Sequence, residues 1–128
     1  MTKDLMPTVL IVEDHQDYRQ AVRRFLEASK VKARLIEACS GEEGVLLAKR
    51  QKPELVLMDF NLGGINGVQA ATQIKSDMPS CSIIMLTMFD IKEVEFLSGR
   101  NLIKAFINKA ELWDKLVPSM NRILNAIV

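Results

Sequence analysis

Val9-Leu10-Ile11-Val12-Glu13-Asp14 is a short, continuous, largely β-branched apolar run that stops at two carboxylates. Runs that are apolar at every position, rather than at alternate ones, form strands buried on both faces. Leu55 to Met58 and Ser82 to Leu86 have the same character, and each is followed at once by a polar residue, Asp59 and Thr87.

The segments between these runs have helical spacing. From Gln16 to Ser29 the apolar residues Tyr18, Ala21, Val22, Phe25 and Leu26 recur every three or four positions, with Arg19, Arg23 and Arg24 on the other side, as in a surface helix packed on a sheet. Arg34 to Ala38 is more mixed, which suits an edge strand. Ser40 followed by Glu43 has the spacing of a capping box, opening a helix that runs to about Gln51 and is closed by Pro53. Further helices are predicted over Val68 to Ser76, Asp90 to Gly99 and Glu111 to Ile127. The last has Leu112, Leu116, Val117, Met120, Ile123, Leu124 and Ile127 as its apolar face. A fifth strand is predicted at Ile103 to Ile107.

Strand and helix thus alternate five times with short connections. Right-handed crossovers between such units give an α/β fold with a doubly wound parallel sheet covered by helices on both faces. At 128 residues and 48% apolar composition, the whole chain reads as one domain, with Met1 to Pro7 as an N-terminal tail.

Composition excludes several classes. Lys plus Arg number 17 against 16 for Asp plus Glu, with no long single-sign run, so no electrostatic footprint for nucleic acid is present. No apolar run approaches the roughly 18 residues of a membrane span, and a cytoplasmic location is expected. Cys39 and Cys81 lack metal-ligand spacing and read as reduced core thiols. Met58, Met85 and Met120 read as core filling, Trp113 as packing or interface, and His15 as a solvated residue at the start of the first helix.

In a doubly wound sheet the ligand site lies beyond the carboxyl ends of the strands. Glu13 and Asp14 end the first, Asp59 the third, Thr87 the fourth, and Asn108-Lys109 follow the fifth. Two like charges about 5 Å apart at an effective dielectric of about 20 cost roughly 3 kcal/mol, so three gathered carboxylates need a cation. Lys109 supplies one charge. Mg²⁺ fits the remainder, because it takes oxygen ligands, needs only one or two carboxylates and completes its shell with water and phosphate oxygens.

Glu13-Asp14, Asp59, Thr87, Phe106 and Lys109, in this order and at these separations, resemble the signature of response-regulator receiver domains of two-component systems. The likeness spans nearly the whole chain. Leu10-Ile11-Val12-Glu13-Asp14-His15, Ser40-Gly41-Glu42-Glu43 and Leu86-Thr87-Met88-Phe89-Asp90 are similar to receivers that precede a helix-turn-helix DNA-binding output domain. The resemblance implies a single receiver domain over residues 1–128 with a flavodoxin-like (βα)5 fold and strand order 2-1-3-4-5.

It also implies the chemistry. Asp59 would take a phosphoryl group from the phosphohistidine of a histidine kinase or histidine phosphotransfer protein. Asp14 and Asp59 would hold Mg²⁺, with Glu13 acting through a bound water and the backbone carbonyl of Asn61 as a further ligand. Lys109 and the Thr87 hydroxyl would grip phosphoryl oxygens, and Phe106 would turn inward as Thr87 moves. The face of helix four, strand five and helix five would then change, signalling to an output domain or a second copy. Such a domain catalyses only its own phosphorylation and dephosphorylation, and the chain stops where a linker to an output domain would begin.

The sequence departs from that pattern at four places. Gly63 stands where a Pro is common, and should loosen the loop after Asp59. Ala110 replaces the Pro that commonly follows the Lys through a cis bond. Ser98 to Ala105 replaces the usual small residues and Gly, so helix four is expected to be short, shifted or mobile, and Pro118 is expected to kink helix five. These departures support a second reading, a receiver-like module that binds a partner regardless of phosphorylation. A phosphatase of the aspartyl-phosphate type is disfavoured, because Asn61 stands where its second Asp belongs.

Overall fold

The computed structural model describes residues 6–99 and 102–127. Met1 to Leu5 of the expected tail, Arg100 and Asn101 in the departing stretch, and the side chain of Ile127 lie outside the described residues. The elements run β1 (Thr8–Val12), α1 (Gln16–Ala28), β2 (Arg34–Ala38), α2 (Gly41–Gln51), β3 (Leu55–Asp59), α3 (Gly67–Asp77), β4 (Ser82–Thr87), α4 (Ile91–Ser98), β5 (Ala105–Asn108) and α5 (Leu112–Ile127), with one 3-10 turn (Lys109–Glu111) between the last two. The five strands are parallel in the order β2-β1-β3-β4-β5, as the resemblance implied.

Because successive side chains of a strand point to opposite faces, each strand feeds two cores. Val9, Ile11, Leu55, Leu57, Ile84 and Leu86 join Val22 and Leu26 of α1 and Leu112, Leu116 and Met120 of α5. Leu10, Val12, Val56, Met58, Ile83 and Met85 join Ala48 of α2, Ala70, Ala71 and Ile74 of α3 and Val94 of α4. Every residue of β1 and β3 is buried, which is why those runs carry no alternation in sequence. Met58, Met85 and Met120 are fully buried.

The helices start where polar side chains can catch their free amides. Ser40 accepts from the Glu43 N–H at 3.0 Å, while the Glu43 carboxylate reaches one residue further back than in a capping box, to the Cys39 N–H at 2.6 Å. A reciprocal box does form at α3, between Asn66 and Gln69.

Two expectations are corrected. Cys39 is exposed rather than part of the core, since β2 ends at Ala38 and Cys39 already belongs to the connection; only Cys81 is buried. The fifth strand begins at Ala105, not Ile103, because Leu102 and Ile103 both pack toward the core on the α2–α4 side, and consecutive residues of a strand cannot do so. Helix α5 continues past Pro118, which lies on its exposed side. Helix α4, by contrast, is short as expected: eight residues, capped by Asp90 accepting from the Lys92 N–H and ended at Gly99 with φ +79°.

Candidate functional site

The carboxyl edge of the sheet brings together the residues that the sequence singled out. Glu13 and Asp59 are buried to 2% and 3% exposure at the ends of β1 and β3, and Thr87 to 1% at the end of β4. Lys109 enters from the 3-10 turn after β5. Its Nζ stands 2.9 Å from Glu13 Oε1 and 3.0 Å from Asp59 Oδ1, so one ammonium joins two strands that are neighbours in the sheet. No peptide bond among the described residues is cis, and Lys109 reaches the acids with Ala110 behind it.

Asp59 is held at both of its sides. The Asn61 backbone amide favours the ionised form of its carboxylate, which sets the Asn61 peptide beside the acid. Helix α3 begins almost on top of it: the Gly67 N–H donates to the Phe60 carbonyl at 2.9 Å, and a Cβ at Gly67 would stand 2.9 Å from Phe60 Cα and closer still to the Asp59 carbonyl. Only glycine allows that approach.

Asp14 is exposed at the rim, where Gly63 N–H approaches its Oδ2 at 3.4 Å. His15, expected to be merely solvated, is indeed exposed but turns back to the acids. Its Nδ1 lies 3.2 Å from both Glu13 Oε2 and Asp14 Oδ1. The two oxygens of Glu13 therefore face two nitrogens, Oε1 the Lys109 Nζ and Oε2 the His15 Nδ1.

Electrostatics follow from this crowding. Burial, reinforced by the Glu13 charge, pushes Asp59 from its ordinary 3.8 up to about 6, against the pull of Lys109. Burial works against the Lys109 charge, but the hydrogen bond to Glu13 and the Asp59 charge outweigh it and raise its pKa. At Asp14 burial is outweighed by the neighbouring Glu13 side chain, the Gly63 N–H and His15, which hold the carboxyl below its usual value. The Glu13 hydrogen bond and the two carboxylate charges raise His15. Three carboxylates against one buried ammonium leave a deficit of positive charge, and a donor set of oxygens, which fits a hard divalent cation.

Thr87 Oγ1 accepts the Phe89 N–H at 2.9 Å, which leaves its proton available to donate. Phe106, expected to favour burial, is half-buried against the core on the α2–α4 side. Sequence reasoning missed two supporting residues. Tyr18 was assigned only to the apolar face of α1, yet Lys109 Nζ lies 4.5 Å from its ring centroid. Arg19, placed on the solvent side, donates to the Glu13 carbonyl and to Glu37, both at 2.8 Å. The available signal was position: each lies within about one and a half helical turns of the acid pair.

Residues 9–118 match the response regulator receiver domain, and the chain belongs to that family. Response regulator protein VraR of Staphylococcus aureus (strain NCTC 8325 / PS 47) is 39% identical over 87 residues, 67% of this chain and 42% of that protein. The chain thus spans less than half the length of such relatives. A LuxR-family two-component response regulator from Aurantimonas sp. SI85-9A1 superposes with a TM-score of 0.82 at 25% identity, over 94% of this chain and 86% of that one. Response regulator protein TrrA from Thermotoga maritima, solved in complex with Mg²⁺ and BeF, superposes with a TM-score of 0.82 at 22% identity, over 92% of this chain and 99% of that one.

Proposed function

We propose that Asp59 accepts a phosphoryl group from the phosphohistidine of a histidine kinase or histidine phosphotransfer protein, in a Mg²⁺-dependent reaction. The observation that carries this reading is a buried carboxylate at a strand end, 3.0 Å from a buried ammonium and backed by an acid pair. One Asp59 oxygen attacks phosphorus in line as the bond from phosphorus to the imidazole nitrogen breaks, and the nitrogen leaves with the electron pair. Asp14, Asp59, the Asn61 carbonyl and, through water, Glu13 would hold Mg²⁺, which neutralises charge on the transferring oxygens.

Lys109 already faces the acceptor and keeps its proton, so it can pair with a phosphoryl oxygen without reorganisation. The Thr87 hydroxyl donates to another, which draws the Thr87–Asp90 loop toward Asp59. That loop opens α4, and Phe106 lies half-buried beside its core. A shift there alters the face of α4, β5 and α5, where Met88, Phe89, Phe96 and Leu97 are exposed and available to an output domain or second copy. The domain catalyses only its own phosphorylation and dephosphorylation, and acts in the cytoplasm. No helix among the described residues is long and apolar enough to cross a membrane.

Incubation with Mg²⁺ and a small phosphodonor tests the reading by mass spectrometry. A single added phosphoryl group, absent from Asp59→Asn, is expected; no adduct with any donor would leave the phosphorylation-independent interaction module as the better account.

A further inference from the structure

The loop from Phe60 to Asn66 carries the Asn61 peptide, whose amide favours the ionised Asp59 carboxylate, and the Gly63 N–H, 3.4 Å from Asp14 Oδ2. It therefore reaches both acids. Gly63 and Gly64 have no side chains to hold it, and Gly64, at φ +80°, occupies a region that glycine enters freely. Restraint has to come from outside those two residues, and the first turn of α2 supplies it at three points. Glu42 Oε2 accepts the Ile65 N–H at 3.2 Å. The same carboxylate lies against Gly64, where a Cβ would stand 2.7 Å from Oε2. Gly41 approaches Ile65 so closely that a Cβ there would stand 2.7 Å from Ile65 Cγ1 and 3.0 Å from the Ile65 carbonyl oxygen. The Ile65 side chain packs against the core on the α2–α4 side, so the residue that Glu42 grips is also seated from below.

We propose, on the reading of Asp59 as the phosphoryl acceptor, that Glu42 is a positioning residue: from α2 it clamps the Ile65 end of the loop and so keeps the Asn61 and Gly63 peptides at the two acids. Asp59 itself does not depend on the clamp. It belongs to β3, which pairs with β1 on one side and β4 on the other, and it faces Lys109 at 3.0 Å. Releasing the loop loosens the peptides beside the acids and leaves the attacking oxygen where it is. Glu42 thus acts on the capture of Mg²⁺ rather than on attack at phosphorus.

Glu42→Ala removes the acceptor, whereas Glu42→Gln removes the charge and keeps a carbonyl oxygen for the same N–H. The position is exposed, so both variants should fold, which thermal melts check. In metal-free protein the Ile65 amide proton is expected to move upfield and exchange faster in Glu42→Ala, and to stay near its parent position in Glu42→Gln. Mg²⁺ alone, followed by calorimetry, should bind Glu42→Ala roughly threefold or more weakly, and Glu42→Gln within about twofold of the parent. With acetyl phosphate at saturating Mg²⁺, the rate of adduct formation should stay within about twofold for all three proteins. An Ile65 amide unmoved in Glu42→Ala, an unchanged Mg²⁺ affinity, or a Glu42→Gln as impaired as Glu42→Ala overturns the inference and leaves Asp59 as the acceptor. A parent protein that forms no adduct with any donor overturns the acceptor reading and the inference together.

Discussion

Lys109 holds its ammonium 4.5 Å from the centroid of the Tyr18 ring, so a residue of the first helix helps to place the cation that follows the last strand. Tyr18 is itself set by Trp113, 6.2 Å between ring centroids, and Trp113 by an edge contact with Phe25 at 4.9 Å. The Tyr18 hydroxyl is buried with no hydrogen-bond partner among the described residues. Tyr18→Phe should therefore leave stability unchanged or raise it by up to about 1 kcal/mol. Tyr18→Leu should lose about 0.5 to 2 kcal/mol of cation–ring attraction and slow phosphoryl uptake. Denaturant unfolding and adduct-formation rates measure both, and identical behaviour of the two variants would reduce the ring to space-filling.

Asp59 makes the metal-free fold pH-sensitive. Its folded pKa, about 6, lies above the ordinary 3.8 because burial and Glu13 disfavour its charge. A raised carboxyl pKa means that the folded state binds the proton more tightly, so its contribution is full below 3.8 and is lost as pH rises through 6. The difference is worth up to about 3 kcal/mol. Asp59→Asn should accordingly be more stable than the parent at pH 8 and equal to it near pH 3.5, and saturating Mg²⁺ should narrow the gap at pH 8. Equal stability at both pH values would remove the electrostatic strain inferred for the site.

The two thiols should separate cleanly. Cys39 is exposed, but its hydrogen bond to Glu43 and that residue's charge raise its pKa; burial pushes Cys81 up to about 11. At pH 8 an alkylating reagent should modify Cys39 alone in the native protein, more slowly than a free cysteine, and Cys81 only on unfolding. Glu43→Gln should speed Cys39 roughly threefold or more by relieving the thiolate of a neighbouring charge. Rapid native labelling of Cys81 would contradict the packing at the end of α3.

Gly67 and Gly63 should respond oppositely to alanine. A methyl at Gly67 has no room against the Asp59 and Phe60 backbone, whereas at Gly63 it meets only Asp14 Oδ2 at 3.9 Å. Gly67→Ala should cost about 1 to 3 kcal/mol and impair phosphoryl acceptance by displacing Asp59. Gly63→Ala should be near neutral or stabilise by up to about 1 kcal/mol. Thermal melts of the pair decide it.

What the sequence made legible was governed by local rules. Val9–Val12 and Leu55–Met58 are apolar at every position because both faces of central parallel strands are covered, and the polar residues at their ends had to meet along one edge. Ile103 failed the same reasoning: it is as strand-like as Ile107, but the register of β5 with Ile84–Thr87 depends on where Leu102 and Ile103 find space, which is a property of the packed core. Cys39 failed because apolar neighbours do not tell where an edge strand ends. The Tyr18 contact with Lys109 was invisible for a further reason, since a ring on an apolar helix face serves a core and a cation equally well.

The loop from Phe60 to Asn66 is closed at both ends, by the Phe60–Gly67 hydrogen bond and by the Asn66 cap of α3. Exchange at Gly63, where a Cβ would meet only Asp14 Oδ2 at 3.9 Å, leaves the span that the loop must bridge unchanged, while an insertion or deletion would pull directly on the strand that presents Asp59. Variation at Gly63 can therefore tune how quickly ions and donors come and go without retuning the acceptor itself. In this chain Gly63 and Gly64 place the softness inside a fixed frame, separating the speed of access from the geometry of attack.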